Sequence, residues 1–200
     1  MHIDFHSFIR SIIKTIEAKD IYTAGHSDRV ADIAENIARS ANLPESEIEI
    51  IHIAGHLHDI GKIGIPDGIL MKTSILAPEE YSLIKRHAVI GWEILSEKKE
   101  FCDIASIVKA HHERPDGKGY PEGLIENKIP KLSGIISVAD VYDAITTNRT
   151  YKVSKPPEAA VNEIISLKGF QFTEFAVEAF ENYIVSENYF YEDISKEEGK

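Results

Sequence analysis

A histidine and an aspartate that are adjacent in the chain, His58 and Asp59, are the side chains best suited to chemistry. An imidazole and a carboxylate side by side can share one metal ion, and the second carboxylate oxygen can reach another. Further candidate ligands are spread along the chain, at His26, His87, His111, His112 and Asp140. Because none is a cysteine, a metal here would have nitrogen and oxygen ligands. This suits catalytic Fe, Mn, Co, Ni or Zn better than a closed structural zinc site.

Helical periodicity predicts the elements that must position these residues. Apolar residues recur at helical spacing from His26 to Ala38, and Pro44 begins a second helix that Gly61 ends just beyond the His-Asp pair. Convincing strand alternation is lacking. Further helices are predicted at residues 78–97, with Tyr81 and Ile94 facing inward, and at 101–112, 131–147, 156–167 and 172–186. The sequence therefore predicts an all-α, single-domain bundle of about seven helices, similar to an HD domain.

Three segments outside the regular helices divide the chain. Residues 113–130 form a long loop rich in glycine and proline, and such loops in compact domains are often functional. Residues 1–20 form one helix with a broad apolar face, which either closes the bundle or is the stub of a signalling connector. Closure is preferred, with homodimerisation through the same face as the alternative. Residues 21–186 form the domain that carries the candidate ligands, and 187–200 are a charged tail expected to fray.

The number of histidines on apolar helix faces favours a metal centre in the bundle. One inward histidine is usually a hydrogen-bonded core residue, but five histidines and two carboxylates in apolar surroundings are hard to explain in that way. Asp140 lies in an apolar segment, where a buried charge needs a partner or a metal. Asp143, one turn further on, is expected to orient a ligand histidine. His56 is about 200° around its helix from His58 and is expected to face outward, and Cys102 is expected to be buried.

Composition excludes several classes of protein. The net charge of −11 argues against binding a nucleic-acid polymer, which requires lysine and arginine to neutralise phosphates. No apolar run approaches the roughly 18 to 20 residues that cross a bilayer, and the N-terminus lacks the features of a signal peptide. A single cysteine is compatible with a reducing compartment. The expected location is therefore the cytoplasm, without membrane association.

The order and spacing of these motifs resemble the HD-GYP family, the bacterial signalling phosphodiesterases of the HD superfamily. The resemblance extends from residue 17 to about residue 180. The matching blocks are Tyr22–Ser27, Leu57–Pro66, His87, His111–Pro121, Val138–Ala144 and Asn148–Lys152.

The resemblance implies a phosphodiesterase that hydrolyses cyclic di-GMP to pGpG and, in some members, onward to GMP. It implies two divalent first-row metal ions, of which Fe and Mn are favoured, with an activated hydroxide between them as nucleophile. One ion would be bound by His26, His58, Asp59 and Asp140, and the other by His87, His111 and His112, with Asp59 bridging. Some members bind a third metal through a glutamate four residues before the first histidine. Tyr22 stands there in this chain, so two metals are expected.

The resemblance also implies how the substrate is bound. Asp59 and Lys62 are the candidate catalytic residues, with Lys62 facing the scissile phosphate. Gly117, Gly119 and Tyr120 would cover the nucleotide. The remaining contacts, to the second phosphate or to guanine, would come from Arg149 and Lys152.

Three alternatives stay open at this point. One is hydrolysis of the mixed cyclic GMP-AMP dinucleotide, which uses the same scaffold. Another is a module that senses a cyclic dinucleotide without turning it over. The third is a nucleotidase for mononucleotides, against which the Gly-Tyr-Pro loop argues. Because the family often joins this domain to sensor domains, signalling proteins are expected partners besides the dinucleotide.

Overall fold

A computed structural model describes residues 5–19, 24–148 and 154–187, with side chains from residue 9 onward. In these ranges the protein is helical and contains no strand, although two isolated β-bridges join Asp116 to Ile125 and Lys168 to Phe172. The described ranges also contain three short 3₁₀ helices, Ile60–Gly64, Lys99–Phe101 and Glu126–Lys128. The α-helices are α1 (Phe5–Lys19), α2 (His26–Ser40), α3 (Glu45–Leu57), α4 (Asp67–Leu70), α5 (Pro78–Lys85), α6 (His87–Ser96), α7 (Cys102–Ala110), α8 (Lys131–Thr146), α9 (Pro157–Ser166) and α10 (Glu174–Ser186).

Helix α2 lies at the centre of the bundle, because it packs against α3, α8 and α10. Its buried residues recur every three or four positions, as the amphipathic pattern predicts. Each large apolar side chain that is fully buried contributes about 1.5 to 3 kcal/mol of transfer free energy. The fully buried residues of this core include Val30, Ile37, Ile51, Ile135, Ile164, Phe172 and Phe180. The predicted all-α bundle is confirmed.

The single helix predicted over residues 78–97 is wrong, because the structure has two helices, α5 and α6, that meet at Arg86. There the Arg86 amide donates to the carbonyl of Leu83, three residues back, and the ring of His87 donates to the carbonyl of Ile84. The side chain of His87 thus competes with the helical backbone for an acceptor.

Three expectations about side-chain burial are also wrong. Tyr81 and Ile94, expected to face inward, are 47% and 41% exposed. Cys102, expected to be buried, is exposed at the first residue of α7. The break at Arg86 explains the error for Tyr81 and Ile94, because their inward positions were predicted from one continuous helix over residues 78–97.

The N-terminal helix contributes to the same core. Ile9, Ile13 and Ile16 of α1 are buried and belong to the core cluster. At the C-terminal end of α1, the ammonium of Lys19 donates to the carbonyls of Ile63 and Ile65, at 2.6 and 2.8 Å. The buried isoleucines and the Lys19 hydrogen bonds favour the interpretation of α1 as a helix that closes the bundle. The isoleucines that a dimer contact through this face would use pack instead in the core of the same chain.

The 3₁₀ helix after the His-Asp pair lies directly against the backbone of α6. A Cβ atom at Gly61 would overlap the carbonyl oxygen of His87 and would lie 2.5 Å from the nitrogen of Gly91. Only glycine allows two backbone segments to approach so closely. This contact brings the segment that carries Asp59 next to the helix that begins with His87.

Candidate metal centre

The first group of candidate ligands joins three helices. His26 begins α2, His58 follows the end of α3, and Asp140 lies in α8. Each offers one ligand atom, and these atoms all lie within 4.8 Å of one another. His26 Nε2 is 3.2 Å from Asp140 Oδ1. The group has the size and the nitrogen-oxygen composition of a site for one divalent ion.

The second group consists of His87, at the start of α6, and the histidine pair that follows α7, His111 and His112. Their ligand atoms also lie within 4.8 Å of one another. The Nε2 atoms of His87 and His111 are 3.3 Å apart. All three rings therefore point toward one another across the gap between α6 and α7.

Asp59 lies between the two groups. Its Oδ2 atom is 3.4 Å from Nε2 of His58, in the first group, and its Oδ1 atom is 3.6 Å from Nε2 of His87, in the second. Lys62, one turn further along the 3₁₀ helix, places its ammonium 2.8 Å from Oδ2. The structure thus brings together all seven predicted metal ligands, with Asp59 in the position of a bridge.

Three of the ligand histidines are oriented by the ends of helices. His58, His87 and His111 each follow the last turn of a helix, where backbone carbonyls have no helical partner. A carbonyl oxygen can only accept a hydrogen bond, so the Nδ1 atom of each ring carries the proton. The fixed tautomer leaves Nε2 with a lone pair directed at the centre. The acceptors lie three residues before each histidine and are the carbonyls of Gly55, Ile84 and Val108, at 2.7, 2.8 and 2.6 Å.

His26 is oriented by a carboxylate. Its Nδ1 atom lies 2.7 Å from Oδ2 of Asp143, which in turn accepts hydrogen bonds from the guanidinium of Arg29. The contact expected between Asp143 and a candidate ligand histidine is therefore present. Burial lowers the pKa of His26, but hydrogen bonds to Asp140 and Asp143 outweigh it and raise the pKa to about 9.

Burial leaves the second group of histidines neutral. It lowers the pKa of His87, lowers that of His111 well below its usual range, and lowers that of His112 to about 4. Burial alone would raise the pKa of Asp59, but the charge of Lys62 and the contact with His58 outweigh it, and the carboxyl pKa lies well below its usual range. Neutral imidazoles and ionised carboxylates are the protonation states that metal binding requires.

Two observations show that this donor set fits divalent ions. Nε2 of His58 is buried and has no hydrogen-bond partner among the residues described. The Nε2 atoms of His87 and His111 both carry lone pairs and face each other at 3.3 Å. Bringing such lone pairs together is unfavourable without a cation between them, and buried polar atoms normally have partners.

A cavity of about 250 Å³ opens beside the ligands. Its wall includes the candidate ligands His112 and Asp140, together with Tyr81, Lys85, Arg114 and Tyr120. The ring of Tyr120 stacks against His112, with centroids 4.7 Å apart. Burial raises the pKa of the Tyr120 phenol, so its hydroxyl stays protonated and can donate a hydrogen bond.

The loop over residues 113–130 is held in place by Glu113. This buried carboxylate accepts hydrogen bonds from the backbone of Glu122 and Leu124, at 2.6 and 2.7 Å. Gly117 has a φ of 72°, and a Cβ atom at Gly119 would lie 2.5 Å from Cα of Glu113. The glycines therefore provide the left-handed turn and the close backbone approach that the sequence predicts.

An HD domain family model matches residues 10–172 of the chain, a span that includes every candidate metal ligand. The chain belongs to the HD domain family. The match extends over nearly the whole bundle. It therefore includes all the helices that carry the candidate ligands, although these helices are far apart in the sequence.

Curated relatives of this HD domain are named for cyclic dinucleotides. A Thermotoga maritima protein named cyclic di-GMP phosphodiesterase is 42% identical over 183 residues, which cover 88% of this chain and 50% of that protein. A Vibrio cholerae protein named 3'3'-cGAMP-specific phosphodiesterase 2 is 37% identical over 172 residues, which cover 85% of this chain and 33% of that protein. The chain thus spans half or less of the length of these relatives. Together with the domain match, they confirm the assignment to the HD-GYP family.

A solved structure shares the fold. The Vibrio cholerae structure described as a cyclic GMP-AMP specific phosphodiesterase matches with a TM-score of 0.67 at 22% identity, over 94% of this chain and 52% of that chain. At this identity the likeness supports the fold alone. Among the described residues, no helix is long and apolar enough to cross a membrane.

Sequence reasoning on the HD domain did not find every residue at the site. Arg149 and Lys152, predicted to contact the substrate, lie outside the described residues, as does Tyr22. His56, expected to face outward, is 5% exposed, so that prediction is wrong. Lys85 was missed, because nothing in its local sequence shows that the end of α5 lines the same cavity as the candidate metal ligands.

Proposed function

We propose that this HD domain is a metal-dependent phosphodiesterase that hydrolyses cyclic di-GMP, either to pGpG or onward to GMP. The observation that carries the proposal is the position of Asp59 between two groups of nitrogen and oxygen donors, beside a cavity with Tyr120 in its wall. The names of the relatives support the same substrate class. Domain and relatives both favour an enzyme over a structural module.

The proposed cofactors are two divalent first-row ions, with Fe and Mn favoured. His26, His58, Asp59 and Asp140 would bind one, and His87, His111 and His112 the other, with Asp59 shared. When bound, such ions supply Lewis-acid stabilisation of phosphate charge and lower the pKa of water. The Nε2 lone pairs of His87 and His111 support this assignment, whereas His26, with a pKa of about 9, would release a proton when an ion binds.

The chain itself supplies groups for positioning and proton transfer. We assign to Lys62 either the stabilisation of charge on the scissile phosphate or the protonation of the leaving oxygen, because its ammonium lies 2.8 Å from the candidate bridging residue Asp59. The protonated hydroxyl of Tyr120 can donate to a substrate oxygen, and its ring can stack on a base. Gly117 and Gly119 shape the loop that would cover the nucleotide, and Arg149 and Lys152 would complete the substrate contacts.

Cyclic GMP-AMP is the second candidate substrate, because a relative named as specific for it is 37% identical to this chain. The experiment that separates the candidates measures kcat/KM for both dinucleotides with Mn-loaded and Fe-loaded protein. A value for cyclic di-GMP at least tenfold above that for cyclic GMP-AMP supports the proposed substrate, and the reverse ratio assigns the second. Tight binding of either without product would instead indicate a sensor.

The proposal extends to the organisation of the chain. Residues 21–186 would form the catalytic domain and α1 would close it, acting in the cytoplasm. Signalling proteins or sensor domains would control its activity, as the greater length of the relatives suggests.

A further inference from the structure

Lys85, the last residue of α5, lines the same cavity as the candidate metal ligands His112 and Asp140. The ammonium lies over two aromatic rings, 4.8 Å from the centroid of Tyr81 and 5.3 Å from that of Tyr120. Cation–π contacts of this kind orient an ammonium without neutralising its charge. Lys85 is therefore held at a defined position beside the tyrosine that is proposed to contact the substrate.

Two of the other basic groups near the centre already have carboxylate partners, and a third, Lys118, is exposed at the cavity wall. Arg114 donates to both oxygens of Asp116, at 3.0 and 2.6 Å, and Lys62 contacts Asp59. Lys85 forms no ion pair with any carboxylate of the described residues. Its positive charge is consequently available to an anion that enters the cavity.

We propose that Lys85 binds the second phosphate of the cyclic dinucleotide, the one that is not at the metal ligands; this inference rests on the proposed function. A cyclic dinucleotide carries two singly charged phosphodiesters, and only one can lie at the ligand groups for cleavage. An ammonium is a compact point charge that suits a phosphate. The contact with Tyr120 would place this charge next to the stacked base.

Two substitutions of Lys85 test the assignment. Lys85→Met keeps the length of the stem and removes the charge, whereas Lys85→Arg keeps the charge. The first readout is the Kd for cyclic di-GMP of the metal-free protein, by calorimetry. The second is kcat/KM of the metal-loaded protein for cyclic di-GMP and for bis(4-nitrophenyl) phosphate, which has a single phosphate. Loss of one charged hydrogen bond corresponds to a change of roughly tenfold to hundredfold.

The expected result is a rise of at least about tenfold in Kd and in KM for cyclic di-GMP with Lys85→Met. Turnover of bis(4-nitrophenyl) phosphate should stay within about twofold, and Lys85→Arg should restore most of the affinity. Lys131→Met is the matched control, because the Lys131 ammonium also lies over an aromatic ring, 4.4 Å from the centroid of Phe175, away from this cavity. It should change neither readout.

The outcomes separate this inference from the proposed function. Turnover of cyclic di-GMP with an unchanged Kd and KM in Lys85→Met would overturn the role of Lys85 and leave the function in place. Equal losses on both substrates would also overturn it. Absence of turnover in the wild-type chain, with a Kd that still rises in Lys85→Met, would overturn the function and support the contact. A wild-type chain that neither binds nor cleaves cyclic di-GMP would overturn both.

Discussion

At the scale of single residues, the candidate metal centre depends on how each imidazole is held. His58, His87 and His111 each use a free carbonyl at the end of the preceding helix, while His26 uses Asp143. In all four rings the oriented Nδ1 atom leaves Nε2 directed at the ligand groups. Because the acceptors are fixed by the helix ends, the ligands are arranged before any ion binds, which lowers the reorganisation required for binding.

Asp59→Asn should weaken the binding of both metal ions, because the Asp59 carboxylate is proposed to be shared between them. The amide is nearly the same size as the carboxylate but carries no charge and has one oxygen. We expect affinity to fall by at least about 100-fold and turnover to be lost, measured by elemental analysis and product chromatography. Asp103→Asn, at an exposed position in the first turn of α7, is the matched control. Full metal content in Asp59→Asn would show that the bridge is wrongly assigned.

Asp143→Asn should weaken only the group that contains His26. Losing the charge of Asp143 frees the ring of His26 to turn and makes its Nε2 a poorer ligand. The expected fall in affinity is about 10-fold to 100-fold for one ion, with the other unchanged, measured by titration of the metal-free protein. Equal weakening at both groups would argue for a general structural role of Asp143.

How far the sequence predicts the centre depends on the kind of residue. Ligand residues are recognisable because histidine and aspartate in apolar segments conflict with their surroundings, as at Asp140. Lys85 is not recognisable, since a lysine at a helix end is common and its relation to Tyr120 arises only from tertiary packing. His56 was predicted outward from its angle to His58 alone. In the structure both of these histidines are buried, which an angle along a single helix cannot show.

At the scale of elements, two backbone contacts set the geometry of the centre. The 3₁₀ helix Ile60–Gly64 lies against α6, and α1 holds the end of that 3₁₀ helix through Lys19. The helices themselves were predictable from periodicity and from breakers such as Pro44. The break between α5 and α6 was not, because it involves a hydrogen bond from the His87 side chain, which periodicity does not include.

Gly61→Ala should destabilise the protein and disturb the centre. The new methyl group would overlap the carbonyl of His87, so the two segments must separate. We expect a loss of about 1 to 3 kcal/mol in the free energy of unfolding, or more, together with weaker metal binding, measured by chemical denaturation and metal titration. Gly68→Ala is the control, since a Cβ atom there meets nothing within 4 Å. Equal stability of the two variants would contradict the close contact.

Ile13→Ala tests whether α1 is part of the folded domain. Ile13 is 2% exposed in the core, and its truncation should lower the free energy of unfolding by about 2 to 5 kcal/mol. Ile75→Ala is the matched control, because Ile75 is 95% exposed and the chemical change is identical. Thermal and chemical unfolding of the full chain measure both. An unchanged midpoint in Ile13→Ala would indicate that α1 does not close the bundle.

At the scale of the whole molecule, an acidic chain presents a cavity in which basic side chains outnumber acidic ones. The net charge is −11, yet the cavity lining has Lys85, Arg114 and Lys118 against Glu113 and Asp140. Metal ions bound at the two groups would add to this local positive potential. A small anion such as a cyclic dinucleotide can therefore be attracted locally although the molecule as a whole is negative.

Metal dependence is tested most directly by the turnover of cyclic di-GMP by chelator-treated protein as Mn or Fe is added back stepwise. We expect no product without metal, and pGpG or GMP that rises with added ion until about two equivalents per chain are bound. Turnover that is complete in the metal-free protein, or a protein that binds two ions and releases no product from cyclic di-GMP, would contradict the proposed function.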